Sequence, residues 1–434
     1  QERQYGVSIK GNVSKSFRSM YLAPVKRIFK ILGLLFALVL LTGVILRLLG
    51  YNHLGLMLPN TVLEGRWGPT IDQYTIYSNN TLKAEKPDPW PISEYINSIE
   101  LMEREDSVHE AMQTVAFMVA RSGEIIFEKY WEDYSAESHT NSWSMAKSVV
   151  NVLVGIALKD GLIGSLDDKA ADYLPEYELG DISIRHLLMM SSGLDFGESY
   201  LNPLGYAARA LYGPDLAELH KAYKPVSEPG EVFEYRSGNT QLLGFLLEKV
   251  TGQSLSSYAQ EKLWNRIGAE QDAYWSLDAE GGSERAFCCL NSNVRDFSKI
   301  GELYRHKGIW KGDTIVDETY WRLSTNFAPI LDNDGTENKR YGYHWWVAEV
   351  DSSHIFYMRG VAGQYVIVIP EEELIISRLG RKRYEEPING HPWDWHQYLK
   401  MGRRIAKETQ SQTAVSEILL QDSLHVTEEV LMAP

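Results

Sequence analysis

The sequence predicts an α+β fold: one antiparallel sheet flanked by helices, a mainly helical lobe inserted into it, and one transmembrane helix in front. Three observations carry this expectation. Strand patterns stand at both ends of the polar part of the chain, with helical patterns between them. A helix apolar nearly all round lies near the start of that part, as a helix buried mid-domain must. An unbroken apolar run precedes everything else.

That run, Ile31 to Leu49, reads ILGLLFALVLLTGVILRLL. Nineteen helical residues span about 28 Å, close to the ~30 Å hydrocarbon core of a bilayer. Its one charge, Arg47, lies near the far end, where it can snorkel to the headgroups. Lys26, Arg27 and Lys30 precede it, so residues 1–30 are expected to form a cytoplasmic stub and the remainder to be exported. No small-residue cleavage site follows Leu49, which argues against a cleaved signal peptide. Residues 50–110 read as a connector, with three prolines and many turn formers between residues 79 and 93.

Residues 114–131 read as two strands about a Ser122-Gly123 turn. The buried helix is expected from about Ser144 to Asp160, stopped by Gly161. Residues 165 to about 325 carry helical patterns and form the inserted lobe. Strand signals return at 341–350, 354–360, 364–370 and in LIISRLG. A polar helical stretch follows from about 393 to 409, and a tail from 411 to 434. Residues 111–410 thus make one domain with a cleft between its lobes.

Composition narrows the functions. A net charge of −15 argues against a nucleic-acid partner, since phosphate binding needs a basic face. The 25 tyrosines and 12 tryptophans suit cores and small-molecule clefts alike. The two cysteines, Cys288 and Cys289, are adjacent; a bridge between neighbours is strained, so no disulfide is expected, and two small buried side chains are. Eleven scattered histidines form no metal motif, and neither a phosphate loop nor a dinucleotide fingerprint occurs, so no metal or cofactor is expected.

Ser144-Met145-Ala146-Lys147 fits S-x-x-K at the start of the buried helix. Chance yields roughly one or two such tetrads in a chain this long, so position is the stronger signal. One helical turn lets Ser144 Oγ meet Lys147 Nζ, and a desolvated lysine can take the proton a serine must lose to become a nucleophile. A serine N-cap followed by a surface lysine fits the tetrad equally well. A third group is sought in Tyr-x-Ser or Tyr-x-Asn. Tyr77-Ser78-Asn79, Tyr95-Ile96-Asn97, Tyr200-Leu201-Asn202 and Tyr235-Arg236-Ser237 all match. Tyr235 is preferred, because it lies between the Pro229-Gly230 turn and a helix, with Ser237-Gly238-Asn239 after it. Oxyanion donors are expected from the Ser144 N–H and from Arg359-Gly360-Val361 at a strand end.

These segments resemble the serine β-lactamase and penicillin-binding superfamily. The resemblance rests on Ser144 to Lys147 with ISIRHLLMMSSGLDF (182–196), on PGEVFEYRSGNTQLLGFLLEKVTGQSL (229–255), on AFCCLNSNVRDFSKIGELY (286–304) and on RGVAGQYVIVIP (359–370). The last two are most similar to its class C-related branch, which includes esterases and 6-aminohexanoate-dimer hydrolases. The resemblance spans about residues 110–405. It implies Ser144 as the acylated nucleophile, Lys147 as its base, and Tyr235 as the group that protonates the leaving group and activates water. It implies Gly360 and Val361 at the oxyanion, with Ser237 and Asn239 beside the substrate. The lysine that opens the third motif of true β-lactamases is absent: the positions read Met358-Arg359-Gly360. A small amide or ester is therefore the expected substrate, and Arg359 replaces the lysine only if it points into the cleft. The cluster Tyr341, Tyr343, Trp345 and Trp346 suits either an apolar pocket or the core. A penicillin-binding-type DD-peptidase and a catalytically silent membrane sensor are the alternatives.

Overall fold

A computed structural model describes residues 13–66, 68–384 and 387–431. The first twelve residues of the expected stub and the last three of the tail lie outside them. Strands β1 (Asn79–Leu82), β2 (Thr114–Arg121), β3 (Glu124–Tyr130), β4 (Thr140–Asn141), β5 (Ala273–Ser276), β6 (Leu290–Ser292), β7 (Ile309–Trp310), β8 (Asp313–Thr314), β9 (Trp346–Val350), β10 (Ser353–Gly360), β11 (Gln364–Ile369) and β12 (Leu374–Gly380) run in chain order. The helices are α1 (Val13–Leu48), α2 (Leu54–Met57), α3 (Glu103–Ala111), α4 (Met145–Lys159), α5 (Ala170–Tyr173), α6 (Ile184–Leu188), α7 (Tyr206–Tyr212), α8 (Leu216–His220), α9 (Ser237–Thr251), α10 (Leu255–Ala259), α11 (Val294–Arg305), α12 (Glu318–Thr325) and α13 (Trp393–Leu431).

The main sheet has the order β3-β2-β12-β11-β10-β9, antiparallel throughout. Its two ends come from the two ends of the domain. They join where β12 pairs with β2, Leu374 opposite Arg121. Ser122 and Gly123 both have positive φ, as a two-residue turn matching strand twist requires. Along β2, Phe117 and Val119 face one side, and Ala116, Met118 and Ala120 the other. Both faces are covered, so β11 and β12 are buried along their whole length. One face packs on α13, with Trp395, Tyr398 and Ile405. The other packs on α4, α11 and the helical lobe.

Thirteen of the fifteen residues of α4 are buried. Its one amide, Asn151, is satisfied there: Oδ1 accepts from Tyr304 (2.7 Å) and Nδ2 donates to Tyr320 (2.9 Å). A Cβ on Gly155 would lie 2.6 Å from the Tyr320 ring, so this glycine admits α12 against the helix.

Three features differ from the sequence reading. A second sheet, β1-β5-β6-β4, takes two of its strands, β5 and β6, from the lobe expected to be helical. Residues 50–110 are packed rather than a free tether: β1 pairs with β5, and Leu82 and Trp90 join the core. The helix at 393 runs on to Leu431, since no glycine or proline interrupts residues 403–431. At the other end, Arg27–Leu48 is long and apolar enough to cross a membrane and is not buried by the domain.

Candidate active site

Pairing of β4 with β6 (Thr140 opposite Ser292) fixes the chain just ahead of α4. Ser142 N–H donates to Leu290 O (2.9 Å), and Ser142 O accepts from Met145 N–H (3.2 Å). Trp143 between them has φ +47°, an uncommon conformation for a bulky residue; its N–H donates to Asn141 Oδ1 (2.8 Å). This tight turn delivers Ser144 to the N-cap of α4, where backbone N–H groups lack helical partners.

One turn on, Lys147 is 1% exposed. Its Nζ donates to Ser144 Oγ (3.0 Å) and to Phe287 O (2.8 Å), and it lies over the Tyr235 ring (5.1 Å). Burial lowers its pKa from 10.5 to about 8, against the Glu198 carboxylate, which raises it. At pH 7 roughly one lysine in ten is then the free amine. Phe287 O is held by its neighbours. Cys288 and Cys289 form a disulfide, contrary to the expectation of two free thiols; both are buried, and Cys289 adopts φ +68°. A left-handed backbone at the second cysteine is what sequence spacing could not supply. Trp275 Nε1 donates to Cys288 O (3.0 Å) and clamps the same turn.

Tyr235 enters from the opposite side. Glu234 N–H donates to Met190 O (2.7 Å), fixing the loop, and the Tyr235 ring stacks on Trp346 (5.9 Å). Burial pushes the phenol well above its ordinary range, against the Ser144 hydroxyl and the charges of Arg359 and Arg383. Ser237 is not free for substrate. Its Oγ and N–H donate to the two oxygens of Glu198 (2.6 and 2.8 Å). Asn239 is fully buried, accepting from Ser192 Oγ (2.7 Å) and reaching Met190 Sδ, so it braces the loop from behind and does not face the opening.

Gly360 ends β10 against the turn that carries Ser144: a Cβ there would meet Ser142 O at 2.3 Å. Close backbone approach requires glycine here, since its φ of −120° does not. Val361 follows, partly exposed. Arg359 lies over Trp346 (4.4 Å), which ties its cation to the Tyr235 side of the site. In the aromatic cluster, Tyr343 and Trp345 are core, while Trp346 and the buried Tyr341 both pack on the Tyr235 ring. Of the other tyrosine motifs, Tyr77 is buried beneath Arg285, while Tyr200 reaches Glu198 (2.7 Å).

Sequence reasoning missed Glu198 and the Phe287 carbonyl. Glu198 is 39 residues from its partner Ser237, and a carbonyl has no sequence signature. Among the described residues, no group of three or more His, Cys, Asp or Glu side chains is placed to hold a metal.

This fold, with its hydroxyl and amine paired at the start of a buried helix, defines a serine hydrolase. Residues 100–397 match the Beta-lactamase family, and the chain belongs to that family. It is 25% identical over 312 residues to the 6-aminohexanoate-dimer hydrolase of Paenarthrobacter ureafaciens, covering 65% of this chain and 75% of that one. Two solved structures share its fold. A Bacillus anthracis protein provisionally named a 6-aminohexanoate-dimer hydrolase gives a TM-score of 0.63 at 19% identity, covering 79% of this chain and 94% of that one. The octameric penicillin-binding protein homologue of Pyrococcus abyssi gives 0.54 at 18% identity, covering 70% and 78%.

Proposed function

We propose that this hydrolase cleaves a small amide or ester through an acyl-serine intermediate on Ser144. The 3.0 Å contact between Lys147 Nζ and Ser144 Oγ, inside a site that lowers the lysine's pKa, carries the reading. Ser144 Oγ bonds to the substrate carbonyl carbon as its proton passes to Lys147. Backbone N–H groups of Ser144 and Val361 receive the oxyanion. The carbon–nitrogen or carbon–oxygen bond breaks as Tyr235 protonates the leaving group, the lysine's proton restoring the phenol. Water, losing a proton to the same pair, then adds to the acyl carbon, and the carbon–Oγ bond breaks as that proton returns to Ser144 Oγ, releasing the acid and the free amine. Ser237 and Glu198 hold the Tyr235 loop.

The domain would sit outside the membrane, with the chain's amino end in the cytoplasm. The basic residues before the span support this orientation, and so does the Cys288–Cys289 disulfide, which an oxidising compartment favours. Arg359 beside Trp346 favours a second reading, a DD-peptidase whose substrate carboxylate meets this cation.

A fluorophosphonate probe and a fluorescent penicillin test both. Labelling by the first alone supports the amide or ester hydrolase, and by both the peptidase. Labelling that persists in Ser144→Ala refutes the nucleophile, and no labelling of the native protein favours a silent sensor.

A further inference from the structure

The loop at residues 198–204 joins two places. At one end Glu198 grips Ser237, two residues from Tyr235. At the other, Pro203 O bonds to His53 Nε2 (2.8 Å), and His53 is 1% exposed. His53 follows the last residue of α1 by five positions, so the loop is tethered within about 18 Å of the membrane helix's end. The contact continues: a cavity of about 580 Å³ is lined by Gly43, Leu46 and Arg47 of α1, by Tyr51, and by Tyr212 and Asp278 of the domain. The end of α7 therefore faces the last turns of the apolar helix across this cavity, and α2 packs on α7 beside it.

Between these two anchors the loop presents apolar side chains outward. Leu201 is 95% exposed, and Tyr200 and Leu204 beside it are exposed as well. On the α1 side Leu49, Leu58, Val62 and Leu63 are exposed too. Apolar groups so placed cost little where they meet lipid and are a liability in water.

We propose that the mouth of the active site is pressed against the leaflet that faces the domain, and that the substrate is an amphiphilic amide or ester drawn from it. The substrate's carbonyl reaches Ser144 while its hydrocarbon chain stays beside Tyr200, Leu201 and Leu204. The inference rests on the hydrolase and anchoring readings above and adds to them the class of substrate.

Two measurements on the full chain in phosphatidylcholine–phosphatidylglycerol vesicles test it. In the first, Leu201→Cys carries a bimane label. Quenching by nitroxide-bearing phosphatidylcholine with shielding from iodide is expected. Free quenching by iodide, or shielding that appears without vesicles and grows with protein concentration, overturns the proposal. In the second, kcat/KM is compared for 4-nitrophenyl dodecanoate and 4-nitrophenyl acetate. The dodecanoate-to-acetate ratio should fall about tenfold or more in Leu201→Asp and Leu204→Asp, the worth of one leucine lost from an apolar contact. An unchanged ratio overturns it. The parent readings fail separately. Absence of both ester turnover and fluorophosphonate labelling removes the hydrolase, while quenching still decides the surface. Release of the chain by alkaline carbonate removes the anchor, and this proposal with it.

Discussion

Gly360→Ala tests the geometry most directly. The added methyl would stand 2.3 Å from Ser142 O, about 1 Å inside the nearest ordinary contact of 3.4 Å. That oxygen is the acceptor that starts the turn before α4, so it cannot retreat without moving Ser144. Either β10 backs away, taking Val361 with it, or the nucleophile does. A displacement of about 1 Å in a reacting group costs about 10²-fold in rate, or about 2.7 kcal/mol of barrier. Overpacking of this kind costs roughly 1–3 kcal/mol of stability, worth about 2–4 °C in Tm per kcal/mol. The expected result is therefore a folded protein with kcat down about 10²-fold and a small loss of Tm. Gly402→Ala is the matched control. Its methyl would meet Ile376 Cδ1 at the same 2.3 Å, on the face covered by α13 and away from Ser144. It should leave kcat unchanged whatever its net effect on Tm, where the gain in helix propensity opposes the displacement of the isoleucine side chain. Ester turnover and thermal melting read the two. Full kcat in Gly360→Ala, or equal losses of kcat in both variants, refutes the close approach of β10 to the nucleophile.

Further outcomes follow from the proton groups. Since Lys147 titrates near 8, below its ordinary 10.5, kcat/KM should rise with pH through about 8 as the free amine accumulates. Stability should rise between about 8 and the ordinary lysine value, where only the unfolded chain still binds that proton. Glu198→Gln removes the charge that holds the lysine's pKa up, so the midpoint of the rate profile should move to lower pH; an unmoved midpoint rejects this coupling. Tyr235→Phe should cut turnover by about 10² to 10⁴, measured on amide and ester substrates, and full activity would remove the phenol from the mechanism. Replacing Cys288 and Cys289 together by serine loosens the carbonyl that holds Lys147, so kcat should fall about tenfold with KM little changed, and an unaltered kcat denies that role.

What the sequence revealed, it revealed through long, strongly patterned segments. The all-apolar helix after Ser144 and the apolar runs of β11 and β12 can only be buried, and strands at both ends of a domain must pair to close its sheet. Ser144 and Lys147 were legible because a helix puts them one turn apart. Features made by tertiary contact alone were not. The second sheet is built of strands two to four residues long, too short to show a period. Glu198 meets Ser237 across 39 residues. Asn239 fits the substrate side of a motif on paper, yet α9 turns its amide inward to Ser192 and Met190.

Because β2 and β3 meet the rest of the sheet only through β12, Ser144 is made long before the glycine that must lie against it. A chain emerging amino end first carries its hydroxyl and amine for more than two hundred residues of synthesis with no strand to finish the cleft. The expected consequence is a hydrolase that is idle while it is being made and gains its activity with its last strands. A chain stopped at residue 350 should leave Ser144 unlabelled by fluorophosphonate, and labelling of that fragment would show that the nucleophile matures alone.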